Sequence, residues 1–136
     1  MTNTSCGLLV LRAIVGIVFI VHGGQKLFVL GFGGVTGFFT QAGIPLPAVS
    51  AVVVTLVEFL GGIAVLLGVL TRWAALLLAI DMAGAIFLVH LKNGFFVNKG
   101  GYEYALTLLA VSLALALSGP GAVALEGILR KKAAAA

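Results

Sequence analysis

Four apolar runs, separated by short polar or glycine-rich breaks, organise the chain. They cover residues 8–28, 48–70, 73–91 and 102–117. A helix that crosses a bilayer needs ~20 mainly apolar residues, with a range of about 17–25. The first three runs meet that length directly. The fourth is the shortest, and reaches it only by drawing in the polar Glu103 and the glycines before it. Every run is longer than the ~9–11 residues of a membrane strand, and none alternates with period 2. The pattern predicts an all-α membrane protein, a four-transmembrane-helix bundle formed by one domain over residues 1–132.

The breaks are unequal. Leu30 to Pro47 reads as a long glycine-rich first loop on the outer side, carrying Phe38 and Phe39. Aromatics in such a loop are expected at the membrane surface or folded back over the bundle. Thr71–Arg72 is a tight turn, and Lys92 to Gly101 is a medium loop with Phe95 and Phe96. Gly119–Pro120–Gly121 ends the fourth run, as Pro and Gly there stop a helix. Ala122 to Leu129 is expected to form a short C-terminal interfacial segment. Residues 133–136, an alanine tail, carry no information. Residues 1–7 hold no Lys or Arg and no small-residue cleavage site follows the first run, so it reads as a span and not as a signal peptide.

Composition sharpens this. Of 136 residues, 62% are apolar and 9% charged, against ~45–50% and about 25% in soluble domains. No soluble fold of this size hides that much apolar surface. A soluble enzyme, a disordered tail and a nucleic-acid module are excluded. The bilayer is the first partner; further subunits of a membrane complex, or copies of the chain itself, are expected beside it. The one cysteine, Cys6, cannot form an internal disulfide, a Cys-x-x-Cys pair or an iron–sulfur cluster. With four spans both termini share a side. That side holds Arg12, Arg72, Arg130, Lys131 and Lys132, the other Lys26, Lys92 and Lys99. The bias places both termini in the cytoplasm.

Ionisable groups inside the spans need partners or a wet cavity, because each costs about 2.5–3.5 kcal/mol on insertion scales. Counting ~1.5 Å per residue from the inner ends puts Arg12 ~8 Å deep, Asp81 ~14 Å, Glu58 ~21 Å and His22 ~22 Å. Equal depth pairs Arg12 with Asp81, and Glu58 with His22 or, at greater reach, Arg12. Lys26 and His90 fall near ~27–29 Å, at the outer rim, where Glu103 also begins the fourth run. At 100° per residue, Arg12, Gly16, Phe19, Gly23 and Lys26 form one stripe of the first helix, with His22 at its edge. Glu58 shares a face with Thr55, Gly61, Gly62 and Gly68, small residues that let a neighbouring backbone approach. Asp81 and His90, nine residues apart, fall on opposite faces of a regular helix. Each polar residue also has a plain structural reading: Arg12 snorkelling to the inner interface, the histidines bonding water, the phenylalanines anchoring loops.

These residues stand in a distinctive order: Leu11–Arg12, His22–Gly23, Gln25–Lys26–Leu27–Phe28, Glu58, Gly61–Gly62, Gly68, Thr71–Arg72–Trp73–Ala74–Ala75, Met82, Ala85, Val89–His90, Gly94–Phe95, Gly100–Gly101–Tyr102–Glu103–Tyr104 and Gly119–Pro120–Gly121. The order resembles the DoxX family of small bacterial membrane proteins over nearly the whole chain. Two positions depart from it: Glu126 where an Asp is usual, and Asp81 where a small or apolar residue is expected. The resemblance implies a four-helix protein of the bacterial inner membrane, in a family tied to quinone-linked sulfur oxidation and to oxidative or quinone stress. Positions matching its polar pattern are Arg12, His22, Lys26, Glu58, Arg72, His90 and Glu103.

Three functions compete. The first is a quinone-interacting subunit of an oxidoreductase, with a head-group site near the outer leaflet formed by His22, Lys26, His90 and Glu103. Histidine and lysine there donate to the ring carbonyls, and a carboxylate relays protons. The second is a non-catalytic anchor or scaffold subunit, favoured by the short chain and the absence of a self-contained catalytic motif. The third, a solute carrier, ranks last because no broken helix is evident. Quinone is the cofactor the first reading implies. Haem is disfavoured, because His22 and His90 face awkwardly for axial ligation. No metal is predicted, since no ligand pair falls at i, i+3 or i, i+4.

Overall fold

The computed structural model describes residues 2–135 and contains helices, turns and loops, with no strand among the described residues. Met1 and Ala136, the last residue of the alanine tail, lie outside the described residues. Helix α1 covers Asn3–Gly24. Thr2 caps it, its side-chain oxygen accepting from the Ser5 amide at 3.2 Å, which satisfies one of the free donors of the first turn. The helical run continues through a π-helical turn, Gln25–Leu30, into α2, Gly31–Gln41. Gly31 has φ +67°, so the axis breaks there, at a residue that bears the conformation without strain.

The glycine-rich segment read as a long outer loop is therefore largely helical. Glycine lowers helix propensity by about 1 kcal/mol per residue, and the composition of Gly31–Gln41 hid its period. Val35 and Phe39 sit four apart and are buried against Ala51, with Ile44 and Val54 beside them. Tertiary packing of that apolar stripe overrides the weak propensity. Only Ala42–Leu46 remains as the connection, and Pro47 opens α3, Pro47–Leu67. Proline suits that first helical position.

Gly68, at φ +70°, ends α3. The tight turn falls at Gly68–Leu70 rather than at Thr71–Arg72, which already belong to α4, Thr71–Ala85. It runs on through a π turn, Ile86–His90, and a 3-10 turn, Leu91–Asn93. A loop with one further 3-10 turn, Val97–Lys99, leads to α5, Glu103–Ser118. After the Gly119–Pro120–Gly121 stop, α6 covers Leu125–Ala134, the expected C-terminal segment displaced by a few residues.

Asn3–Gln41, Pro47–Leu67 and Thr71–Asn93 are long and apolar enough to cross a membrane, and Glu103–Ser118 is a shorter apolar helix. α1 packs chiefly on α3, and α4 on α5. The α1–α3 contact is close because its stripe is glycine: a Cβ on Gly62 would lie 2.7 Å from the Ile20 nitrogen and 2.9 Å from the Gly16 oxygen. Such small-residue seams are how helices associate in lipid, where no hydrophobic drive distinguishes helix from solvent. Pairing runs antiparallel, Gly16 against Gly62 and Leu66, Gly23 against Phe59. One apolar core joins Val15, Phe19, Val65, Leu78 and Leu115.

Candidate functional site

The polar residues separate into two groups at opposite ends of the bundle. At the end that holds the chain termini, Arg12 is 2% exposed. Its Nη1 donates to the Pro120 carbonyl at 2.8 Å and its Nη2 to the Val123 carbonyl at 3.0 Å. The guanidinium fork thus spans the turn after α5. Arg12 does not pair with Asp81 or Glu58, as equal depth had suggested. The partners it found are backbone carbonyls freed where α5 stops, and the identity of a side chain does not announce those. Arg72 does the same from α4, donating to the Leu117 carbonyl at 2.7 Å. The Ala122 amide donates to Ser5 and the Glu126 amide to Gly68. These bonds tie α4 to the end of α5, and the ends of α1 and α3 to the turn after α5 and the start of α6.

The second group surrounds a cavity of about 660 Å³ between α1, α2, α3, α4 and α5. That size falls within the ~300–1,000 Å³ typical of small-molecule sites. In its wall Lys26 Nζ donates to Glu58 Oε2 at 2.6 Å, and the Lys26 and Glu58 side chains are 20% and 5% exposed. This is the only ion pair among the described residues. Glu58 faces Lys26 rather than His22. The depth count separates these two Cα positions by ~8 Å, but lysine's four-carbon stem bridges such a gap. Asp81 is their neighbour in the same wall, and its Oδ2 is buried without a hydrogen-bond partner among the described residues.

His22 also lines the cavity, its ring tilted at 44° to Tyr104 with centroids 6.2 Å apart. His90 lines it too, although a regular helix would turn it away from Asp81. The π turn Ile86–His90 is the reason. An i→i+5 turn takes up one extra residue, about 100° of rotation, and brings His90 back toward the Asp81 side. Its Nδ1 lies 2.8 Å from the Gly100 oxygen. Asn93 Nδ2 donates to the same oxygen at 3.2 Å. Glu103 is absent from the cavity wall: its Oε1 accepts from the Val97 amide at 2.7 Å and holds the 91–102 loop. So five of the sequence-selected residues, His22, Lys26, Glu58, Asp81 and His90, meet at the cavity. Arg12 and Glu103 serve loops and turns. Phe19, Tyr104 and Gly84 also line it, and sequence reasoning did not single them out for this. No group of three or more potential metal ligands occurs among the described residues.

A helical membrane bundle whose apolar cavity is floored by one buried ion pair and an extra carboxylate defines the class. The chain belongs to the DoxX family, whose profile matches residues 7–91. It is 39% identical over 125 residues to CatD of Bacillus subtilis, a protein whose oxidoreductase name is itself provisional, covering 92% of this chain and 88% of that one. It is 36% identical to the inner membrane protein YqjF of Escherichia coli, over 93% of this chain and 94% of that one. A membrane protein of Mycobacterium tuberculosis is 38% identical over 135 residues, covering 92% and 82% of the two chains. No solved structure matches the chain.

Proposed function

We propose that the chain binds a quinone head group in this cavity, as an integral subunit associated with a quinone-linked oxidoreductase of the bacterial inner membrane. The observation that carries the reading is the Lys26–Glu58–Asp81 cluster opening on a mainly apolar space. A convergent polar patch in an apolar cavity fits a flat ring with carbonyl oxygens. The oxidoreductase name of CatD and the inner-membrane name of YqjF agree with it.

A bound quinone supplies two-electron, two-proton chemistry in the bilayer. The chain's own residues supply the rest. An ammonium has three donors, and Glu58 accepts one of them, so Lys26 keeps two for a carbonyl oxygen of the ring. Asp81 Oδ2, otherwise without a partner among the described residues, would accept a hydrogen bond from a ring hydroxyl of the reduced, hydroquinone form. His22 stands in the same wall as a second donor. Phe19, Phe39 and Leu108 exclude water around these groups.

The same reading takes Glu103–Ser118 as a fourth crossing and places both termini in the cytoplasm. The inner cluster of Arg12 and Arg72 against residues 117–123 supports this sidedness. In a Cys6→Ser background, an external thiol reagent should label Lys99→Cys and spare Lys132→Cys; the reverse pattern overturns the orientation. For the ligand, a photoreactive quinone analogue should label peptides covering residues 22–39 or 80–104 in purified protein. Free quinone should compete, and Lys26→Met should abolish the label. Stoichiometric large subunits co-purifying with no quinone labelling would return the chain to a scaffold role.

A further inference from the structure

We infer that the cavity is loaded sideways from the bilayer through a gap between α3 and α4, so that its ligand carries a hydrocarbon tail that leaves through this gap. The inference rests on the cavity being a ring head-group site and adds the route and the tail.

The gap follows from how the two helices are joined. The short link Gly68–Leu70 holds their inner ends together, and Gly61 packs on Leu78 in the inner half. Beside that contact and beyond it, one stripe of each helix faces the cavity instead of its neighbour. On α3 the stripe includes Val53 and Val57; on α4 it is Leu77, Ile80, Gly84 and Leu88, spaced at three and four. Several of these residues line the cavity and are at the same time exposed: Val53 52%, Leu77 52%, Ile80 61% and Leu88 47%. A residue with both properties marks an opening in the wall.

The opening lies at hydrocarbon depth. Ile80 is ~14 Å along its helix from Thr71, and Val53 is ~9 Å along its own from Pro47. Both lie well inside a hydrocarbon core of ~30 Å. What meets the cavity there is acyl chain, and every side chain named at the rim is apolar. The outer end, in contrast, is covered. Val97, Gly100 and Gly101 lie across it, held by the His90–Gly100 and Glu103–Val97 contacts. A head group resting on Lys26 and Asp81 therefore has its exit beside Ile80 and Leu88, into lipid.

Gly84 gives the test its handle. It stands in the rim between Ile80 and Leu88, and a Cβ built on it meets no atom within 4 Å. A large side chain there fits the fold and fills the gap. Wild type, Gly84→Phe and, from the opposite wall, Val53→Phe are reconstituted in phosphatidylcholine nanodiscs, with folding checked by circular dichroism melts. Three photoreactive probes are compared at equal concentration per lipid: a tail-less benzoquinone, the same ring with a decyl tail, and a decyl chain without the ring. The tailed quinone should label residues 53–57 and 77–88 at least tenfold more than the tail-less one. Either Phe variant that melts like wild type should lose that label at least fivefold. If both quinones label equally and neither variant changes this, sideways entry is overturned while quinone binding stands. If neither quinone labels but the decyl chain marks the gap and the Phe variants remove the mark, the portal stands and the quinone reading falls. If none of the three probes marks the gap, the inference is overturned.

Discussion

Removing the cation from the cavity floor should destabilise the protein far more than neutralising its partner. Lys26→Met leaves Glu58 buried beside Asp81 with no positive charge between two carboxylates. Breaking a buried pair from one side costs roughly 3–5 kcal/mol, and the 5% exposure of the Glu58 side chain gives the orphaned charge little water. Glu58→Gln is milder because the amide oxygen still accepts from Lys26 and no carboxylate is left without its cation. The loss should be at most about half of that for Lys26→Met. The double variant removes both members, so it should be more stable than the sum of the two losses implies. Coupled residues in one charged network show interaction energies of about 0.5–3 kcal/mol, and the upper half of that range is expected here. The measurement is reversible unfolding in mixed detergent micelles for all four members of the cycle. Equal losses for the two single variants, with a double that adds to within about 0.5 kcal/mol, would refute the argument that this pair is buried and mutually dependent.

The inner lock and the helix seam give separate outcomes. Arg12→Ala deletes two charge-assisted hydrogen bonds, each worth about 1.5–3 kcal/mol, and should speed proteolysis between Pro120 and Leu125; Arg12→Lys, with no fork to span two carbonyls, should restore less than half of the loss. Gly62→Ala forces a methyl against the α1 backbone and should lower stability by about 1–3 kcal/mol, whereas Gly7→Ala, in open space on α1, should be neutral or mildly stabilising in the same thermal melt. Glu103→Ala should speed hydrogen exchange at the Val97 amide, and Glu103→Gln, which keeps an acceptor, should leave it near wild type.

What the sequence disclosed and what it hid divide along physical lines. The stripe Arg12, Gly16, Phe19, Gly23 and Lys26 was readable from its 3.6-residue period; its first four members are buried and Lys26 is partly so. Glu58 was readable because a carboxylate in mid-span has no route to water. The Lys26–Glu58 partnership was not, because depth arithmetic compares Cα positions and lysine carries its charge far from its own. Arg12 deceived for a related reason: backbone carbonyls at a helix end are equally good partners and leave no mark in the sequence. The His90 face could not be computed on regular geometry, since nothing in Ile86–His90 signals a π turn. Helix α2 was concealed by its glycines, although Val35 and Phe39 carried the period that packing used.

The arrangement assigns different work to the two ends of the bundle. At the end that holds the chain termini, Arg12 and Arg72 are spent on carbonyls and close a structure. In the half of the bundle away from the termini the chemistry is left open. A buried ion pair is poor stabilisation, since apolar residues of similar volume are often as good or better. A bundle in need only of cohesion had a cheaper solution at hand in the glycine seam that already joins α1 to α3. Lys26, Glu58 and Asp81 add the opposite: a donor with hydrogens to spare, and an acceptor oxygen with no partner, beside a space walled by phenylalanine, valine and leucine. In lipid an unsatisfied polar atom has no water to fall back on. That makes the Asp81 oxygen a structural reason to expect a hydrogen-bond donor of a ligand in the cavity, and Asp81→Leu should weaken labelling by the hydroquinone form of the probe more than labelling by the oxidised form.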